Sequence, residues 1–386
     1  MALKVGKGAE APPFIVMDVI AAANARAAAL APGDPRVIRM EVGQPSTGAP
    51  AAAGEAAIAA MRAGETLGYT EALGIRPLRE RIARLYAERY GVEAPVGRIA
   101  VTVGASGAFP LAFLAAFDRG DRVALAAPFY PPYVNILTAL GLVPVILDAG
   151  PESRYQPTVA MLESLDPPPD GLIVASPCNP AGTMLHGDEL AGIAEWCAGT
   201  GVRLISDEIY HGLTYGEVAA TAAAFPGAVV INSFSKYWSM TGWRVGWMVL
   251  PEDLARPVEQ LAQNLFISAP GVSQVAALAA FEAEAELCGH LARYAANRAL
   301  LLDALPRAGI DRLAPAEGAF YLYADVGHLT NDSSAWCARM LAEIGVAATP
   351  GVDFDRTRGH RTVRFSFCGA TADMEEAAER IARWLG

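Results

Sequence analysis

Short apolar runs alternate with helical stretches between about residues 95 and 250. The runs that we predict to be strands are 98–103, 123–126, 143–147, 172–175, 202–206, 229–232 and 245–250. Nearly continuous apolar strands that alternate with helices are typical of a mostly parallel sheet with helices on both faces. The pattern therefore predicts an α/β fold whose ligands bind at the carboxyl ends of the strands.

The last hundred residues follow a different pattern. A helical stretch at about 287–308 leads into an apolar run at 319–324, and a helix near 334–344, a strand at 362–367 and a final helix after Thr371 follow. A chain of 386 residues suits two domains better than one core. We predict a large domain over 51–285 and a smaller α+β domain formed by segments 1–50 and 286–386.

Charge and cysteine usage exclude several classes of function. The formal net charge of −11 argues against nucleic-acid partners and anionic membranes. Neither the histidines nor the widely spaced cysteines show metal-ligand spacing, so we expect reduced thiols, no metal and a cytoplasmic location. The uncharged stretch 123–147 is interrupted by four prolines and Gly141, which predicts strand, loop, helix and strand rather than a membrane span.

Lysine is almost absent from this chain. It occurs only at Lys4, Lys7 and Lys236, whereas the other 27 cationic side chains are arginines. Arginine cannot form an imine, because its guanidinium stays protonated. Lysine can do so once burial and cationic neighbours lower its pKa. Lys236 follows an apolar run and is thus a candidate nucleophile, although a chance surface lysine explains this feature equally well.

The neighbours of Lys236 suit a phosphate group. Ser233 and Ser235 offer hydroxyl donors, Arg244 offers a guanidinium, and Gly242 permits close approach of the backbone. Residues 104–107 follow a predicted strand and open a helix, where backbone amides bind phosphate. The alternative for Arg244 is a solvated charge at a strand end, and the alternative for residues 104–107 is a plain glycine-rich turn.

Polar side chains also follow two other predicted strands. A carboxylate such as Asp207 can keep a pyridine nitrogen protonated, and Tyr210 lies three residues further on. The alternative for a lone aspartate is a helix N-cap. Asn179 lies between Pro177 and Pro180 and is either a ligand for a cofactor oxygen or part of a structural turn.

In this order and spacing, the motifs resemble the class I/II aminotransferases, which are pyridoxal-phosphate (PLP) enzymes of fold type I. The resemblance extends from residues 41–45 to residues 364–367. Its most specific part is 233–236 followed by 241–246, supported by 179–182 and 206–210. The fold implied is a large PLP-binding domain with a smaller domain beside it.

The resemblance implies a role for each matching position. Lys236 is the Schiff-base lysine and proton carrier, Asp207 is the partner of the pyridine nitrogen, and Asn179 and Tyr210 are partners of the phenolic oxygen. The remaining positions implied to bind the cofactor are the ring-stacking Tyr130, for which core packing is the alternative, and a phosphate cup of Ala105, Ser106, Ser233, Ser235 and Arg244.

Three further positions concern the substrate and the subunit partner. The resemblance implies that Gly43 closes over the substrate, that Asn179 also contacts the substrate, and that Arg364 grips the substrate carboxylate with two parallel hydrogen bonds. Tyr69 matches a tyrosine that reaches the phosphate of the neighbouring subunit, which implies a homodimer with shared sites. Asp355 stands where such chains commonly have glycine, in a loop expected near the substrate.

The activity implied is transfer of an amino group from an L-amino acid to a 2-oxo acid by a ping-pong mechanism. A PLP-dependent C–S (β) lyase would use the same residues and stays open as the alternative. A PLP-binding regulatory protein is disfavoured, because no basic DNA-binding region precedes the fold. No lysine or arginine lies between Arg256 and Arg293, which favours neutral or aromatic amino donors.

Overall fold

Strands and helices alternate along most of the chain in the computed structural model, which describes residues 3–386. The strands are β1 (Ile38–Arg39), β2 (Ile99–Thr102), β3 (Arg122–Ala127), β4 (Val143–Asp148), β5 (Gly171–Ala175), β6 (Arg203–Asp207), β7 (Val229–Ser233), β8 (Gly246–Val249), β9 (Tyr321–Asp325), β10 (Val346–Ala347), β11 (Thr349–Pro350) and β12 (Thr362–Ser366). The α-helices are α1 (Ile15–Ala28), α2 (Ala51–Arg62), α3 (Arg76–Tyr90), α4 (Gly104–Ala116), α5 (Pro132–Leu140), α6 (Val159–Glu163), α7 (Gly187–Thr200), α8 (Glu252–Leu265), α9 (Gly271–Ala280), α10 (Glu284–Arg307), α11 (Ser333–Ile344) and α12 (Thr371–Leu385).

The main sheet has seven strands in the order β2-β8-β7-β6-β5-β3-β4. Strands β4, β3, β5, β6 and β7 are parallel, whereas β8 runs antiparallel to both β7 and β2. All seven predicted strands are present, so the predicted mostly parallel α/β sheet is confirmed. The uncharged stretch 123–147 folds as β3, α5 and β4, and none of the helices in residues 3–386 has the length and apolarity needed to cross a bilayer.

Each face of this sheet is covered by its own apolar core. Successive residues of a strand point to opposite faces. Leu172 and Val174 of β5 therefore join a cluster with helices α2, α3, α7 and α9. Ile173, between them, joins a second cluster with α4, α5 and α8. Burial on both faces explains why these strands are continuous apolar runs in the sequence.

The C-terminal segment forms a second, antiparallel sheet in the order β11-β12-β9, with a separate apolar core shared with α10, α11 and α12. The N-terminal segment joins it through β1, which pairs in parallel with β10, and through Ser366 N, which donates to Met40 O at 2.7 Å. The domain boundaries at 50/51 and 285/286 stay a prediction.

Candidate active site

The carboxyl edge of the parallel strands opens into a cavity of about 720 Å³. The predicted site residues that line this cavity are Gly43, Ala105, Ser106, Tyr130, Asn179, Asp207, Tyr210, Ser233, Ser235, Lys236, Arg244 and Arg364. Loops after β5, β6 and β7 and the start of α4 deliver most of them, because parallel strands end at one edge of a sheet. The exception is Tyr69, whose side chain is 84 % exposed and lies outside the cavity.

Lys236 lies three residues beyond β7, in the cavity wall. Its Nζ donates a hydrogen bond to Gly43 O at 2.5 Å, which links the large sheet to the N-terminal segment. Burial lowers the pKa of Lys236 to about 8, and the nearby Arg364 and Arg244 guanidinium groups contribute to this shift. A substantial fraction of this amine is therefore neutral near physiological pH, as a nucleophile requires.

Asp207 ends β6 and is only 3 % exposed. Tyr133 OH donates to its Oδ2, and Ile209 N donates to its Oδ1 at 3.1 Å. Burial raises the pKa of Asp207 to about 6, while the hydrogen bonds from Tyr133 and Ile209 and the charge of Lys236 oppose that rise. The Asp207 carboxylate is therefore buried and can accept a hydrogen bond from a protonated group in the cavity.

The candidate phosphate cup combines hydroxyl groups, a guanidinium and the start of α4. Ser233 Oγ donates to Ser235 Oγ at 2.9 Å and accepts from Ser235 N at 3.1 Å. Gly104 adopts φ +67°, and a Cβ there would lie 2.7 Å from Arg244 Nη2. A larger residue would thus push the guanidinium away from the helix start, where backbone amides favour anions.

Arg364 is 1 % exposed and has only neutral hydrogen-bond acceptors. Nη1 donates to Asn179 Oδ1 at 2.8 Å, and Nη2 donates to Glu41 O at 2.6 Å and to Thr349 Oγ1 at 3.2 Å. Within the described residues its buried Nε has no hydrogen-bond partner. A buried, uncompensated cation is costly, so this guanidinium is suited to an anionic ligand.

Aromatic residues form the remaining walls of the cavity. Tyr210 OH and Tyr321 OH are 2.7 Å apart. Tyr130 packs edge-on against Phe14, with the ring centroids 5.7 Å apart, and against Tyr133 at 5.4 Å. Tyr130 therefore lines the cavity and also packs in its wall, and its stacking on the cofactor ring stays a prediction.

Several lining residues carry no role in the sequence-based prediction. Among them are Tyr133, Tyr321 and four apolar residues at the start of the chain, Phe14, Val16, Met17 and Ile20. The apolar residues belong to α1 or directly precede it, and Asp353 accepts hydrogen bonds from Ile15 N at 3.0 Å and Val16 N at 3.1 Å. The spacing of 16, 17 and 20 on one side of a helix is the only sequence pattern that indicates this wall.

Neither Asp355 nor a metal-binding cluster contributes to the cavity within the described residues. The Asp355 carboxylate accepts from Thr357 N at 2.8 Å and Arg358 N at 2.9 Å, so it stabilises its own turn and does not line the cavity. In the described part of the chain, no group of three or more His, Cys, Asp or Glu side chains is arranged to hold a metal ion.

Comparison with known proteins identifies the family. The sequence model of the family "Aminotransferase class I and II" matches residues 35–381. This chain belongs to the class I and II aminotransferases. It is therefore a PLP-dependent enzyme that moves an amino group from an amino acid to a 2-oxo acid, and the predicted family, fold, cofactor and reaction are confirmed.

Individual aminotransferases match along the whole chain. The valine–pyruvate aminotransferase of Mycobacterium tuberculosis is 52% identical over 387 residues, which cover 99% of this chain and 98% of that protein. The crystal structure of an aminotransferase from the same organism superposes with a TM-score of 0.96 at 52% identity and covers 100% of this chain and 99% of that one. The aspartate aminotransferase of Thermus thermophilus with maleate has a TM-score of 0.90 at 28% identity and covers 99% and 100%.

The cavity of this aminotransferase fits PLP by the chemistry of its donors. Among residues 3–386, the cavity contains one primary amine, Lys236, and a buried carboxylate, Asp207, for a pyridine nitrogen. Ser233, Ser235 and Arg244 lie beside the first turn of α4, where a phosphate dianion would be neutralised. The reactive aldehyde, the ring nitrogen and the phosphate of PLP thus each have a complementary group in the cavity.

Proposed function

We propose that this enzyme transfers amino groups from neutral, aliphatic L-amino acids to small 2-oxo acids such as pyruvate, and that Lys236, Asp207 and Arg364 carry the reaction. PLP, when bound, supplies an aldehyde that condenses with amines and a ring that withdraws electrons from the substrate α-carbon. The protein residues supply the binding, the orientation and the proton transfers that control this chemistry.

Lys236 serves as the proton carrier in this proposal. With PLP bound and the amino acid in place, the Lys236 amine would be the base that takes the proton from the substrate α-carbon. The lowered pKa of Lys236, about 8, leaves enough neutral amine to accept that proton near pH 7 to 8. Asp207, as a carboxylate, holds the proton on the pyridine nitrogen and so increases electron withdrawal by the ring.

Arg364 binds the substrate carboxylate. Within the described residues it forms no ion pair with a carboxylate, and its Nε lacks a hydrogen-bond partner. The hydrogen bond from Nη1 to Asn179 Oδ1 fixes the guanidinium and leaves the amide N–H groups of Asn179 for an oxygen of the cofactor or substrate.

The observation that carries the choice of substrate is the apolar wall around the remainder of the cavity. Phe14, Val16, Met17 and Ile20 line this wall, and the cationic lining residues are Lys236, Arg244 and Arg364. Each of these cations already has a role with the cofactor or the α-carboxylate. Among residues 3–386, no fourth cation lines the cavity to bind a second carboxylate, and burying an unpaired carboxylate is unfavourable. The valine–pyruvate aminotransferase of M. tuberculosis supports the same substrate class.

A panel of donors and acceptors tests the substrate class. The purified enzyme is given valine, alanine, leucine, phenylalanine, aspartate or glutamate with pyruvate or 2-oxoglutarate, and kcat/KM is measured for each pair except alanine with pyruvate and glutamate with 2-oxoglutarate, which give no net reaction. We expect valine or leucine with pyruvate to exceed aspartate with pyruvate by at least tenfold. A preference for aspartate, or release of ammonia and pyruvate from a β-substituted donor as the main reaction, would contradict the proposal.

We also propose that the enzyme is a cytoplasmic homodimer whose sites are shared between subunits. Tyr69 and three neighbouring apolar residues of the 265–267 segment are exposed on one face, and Thr70 N donates to Ser268 Oγ at 3.2 Å between the two segments. Phe266 lies next to α4, since its Cζ would be 3.8 Å from a Cβ on Gly107. This exposed apolar face therefore borders the phosphate cup, where a second copy can contribute its Tyr69.

A further inference from the structure

Tyr133 lies in the first turn of α5 and is 3 % exposed. Its hydroxyl donates a hydrogen bond to Asp207 Oδ2 across 74 positions of sequence. Its ring packs against Phe109, with centroids 5.1 Å apart, and against Tyr130 at 5.4 Å. The packing from both sides fixes the direction in which the hydroxyl points.

The Tyr133 hydroxyl can act only as a donor toward Asp207. Burial raises the pKa of Tyr133 well above its usual value, so the phenol keeps its proton. Oδ1 of Asp207 is occupied by Ile209 N at 3.1 Å, so Tyr133 is the side-chain donor on the other oxygen. A donor to each oxygen stabilises the ionised form of a buried carboxyl group.

We propose that Tyr133 is a positioning residue that keeps Asp207 ionised and oriented, so that the carboxylate holds the proton on the pyridine nitrogen of PLP. This inference rests on the role of Asp207 in the proposed function. Tyr133 touches neither the substrate nor the reacting atoms in this role and acts through Asp207 alone.

Other charged and titratable groups around Asp207 do not replace this hydrogen bond. The titratable groups that interact electrostatically with Asp207 are Tyr130, Tyr210, Glu208 and Lys236. Glu208 points into a separate network and accepts from Thr221 Oγ1 at 2.8 Å and Ala222 N at 2.7 Å. Lys236 is the single cation of this group, and its amine is engaged by the cofactor in the loaded enzyme.

The test uses the substitution Tyr133→Phe, which keeps the ring and removes the hydroxyl. PLP labelled with 15N at the ring nitrogen is bound to the wild type, Tyr133→Phe and Asp207→Asn, and the nitrogen chemical shift is recorded. Tyr323→Phe is the matched control, because its buried hydroxyl bonds Thr362 Oγ1 at 2.7 Å outside the cavity. We expect a protonated nitrogen in the wild type and control, an unprotonated one in Asp207→Asn, and a shift toward unprotonated in Tyr133→Phe with turnover at least tenfold lower.

A wild-type nitrogen signal in Tyr133→Phe, with Asp207→Asn shifted, would overturn the inference and leave the role of Asp207 intact. An unprotonated nitrogen already in the wild type would instead overturn the role of Asp207 and the inference with it. Should Tyr133→Phe retain too little PLP, the cofactor-free proteins give the answer by 13C titration of the Asp207 carboxyl. We expect the Asp207 titration midpoint to be about one pH unit higher in Tyr133→Phe than in the wild type, which is a tenfold change in proton affinity. An unchanged midpoint would overturn the inference.

Discussion

Single residues in the cavity owe their chemistry to what surrounds them. Lys236 is a lysine in a chain that otherwise uses arginine almost throughout, and burial among cations lowers its pKa to about 8. Arg364 is 1 % exposed, and its guanidinium donates to neutral acceptors. The two cations therefore suit different tasks, nucleophilic attack and anion binding.

The pKa of Lys236 predicts how the cofactor-free protein captures PLP. Only the neutral amine attacks the aldehyde, so the association rate should rise about tenfold per pH unit below pH 8 and level off above it. Stopped-flow absorbance between pH 7 and pH 9.5 measures this rate. A rate that still rises tenfold per unit between pH 8.5 and pH 9.5 would show that the amine has the pKa of an ordinary lysine.

Replacing Arg364 by lysine tests carboxylate recognition. The substitution keeps one charge but loses the planar fork, so the KM for every amino acid should rise by about ten- to a hundredfold while PLP stays bound. The matched control is Arg361→Lys, because Arg361 pairs with Asp325 at 3.0 and 2.8 Å outside the cavity. If Arg364→Lys and Arg361→Lys have equal KM values, the substrate carboxylate does not bind at Arg364.

Among the elements, α1 connects the wall of the cavity to the C-terminal segment. Its own N-cap residue, Phe14, provides no side-chain acceptor, so the remote Asp353 caps the amides of Ile15 and Val16. Helix ends need such acceptors, because their first N–H groups have no partner within the helix. The apolar wall of the cavity is therefore held in place by one carboxylate that lies more than 300 residues away in sequence.

The substitution Asp353→Ala should loosen α1. Loss of a cap costs about 1 to 2 kcal/mol, so hydrogen exchange in residues 15–20 should be about five- to thirtyfold faster. The KM for valine and leucine should rise more than the KM for alanine, whose side chain is too short to need the wall. Mass-resolved hydrogen exchange and steady-state kinetics measure both effects.

A matched control for that experiment is Asp332→Ala. Asp332 caps α11 by accepting from Ala335 N at 2.9 Å, outside the cavity. This variant should speed exchange only at the start of α11 and leave the kinetics unchanged. If residues 15–20 exchange as slowly in Asp353→Ala as in the wild type, α1 is held by its packing and not by the cap.

At the scale of the whole molecule, an exposed apolar face supports the proposed homodimer. Leu265, Phe266 and Ile267 are 51, 37 and 46 % exposed, and Tyr69 beside them is 84 % exposed. Ile267 also adopts φ +65°, a conformation that costs a β-branched residue energy and occurs mainly at functional positions. A second copy that covers this face would bury the apolar residues and bring its Tyr69 to the phosphate cup.

Mixing two impaired variants tests the shared site. Tyr69→Ala should weaken PLP binding, and Lys236→Ala prevents covalent attachment of PLP. If the sites are shared, a hybrid dimer of these two variants has both substitutions in one cavity and neither in the other. Equal mixing should restore about one quarter of wild-type activity, because half of the dimers are hybrids with one intact site each. Should Tyr69 act within its own chain, confirmed hybrids would remain inactive.

The sequence by itself determined the elements and the chemical groups of this protein. The seven strands of the main sheet are visible as apolar runs, because burial on both faces leaves a local and periodic pattern. Lys236, Asp207 and Arg244 are identifiable because each stands near a strand end, and the motifs around them also indicate the family. Those positions require no knowledge of how distant segments meet.

The tertiary structure alone decided which side chains serve one another. Tyr133 reaches Asp207 only because α5 follows β3, which lies two strands from β6 in the sheet. Asp353 caps α1, and Glu41 O holds Arg364, across more than 300 residues. Such contacts leave no periodic trace in the sequence, because each depends on chain topology and not on local preference. The apolar wall of the cavity and the hydrogen-bond donors around Asp207 are consequences of packing.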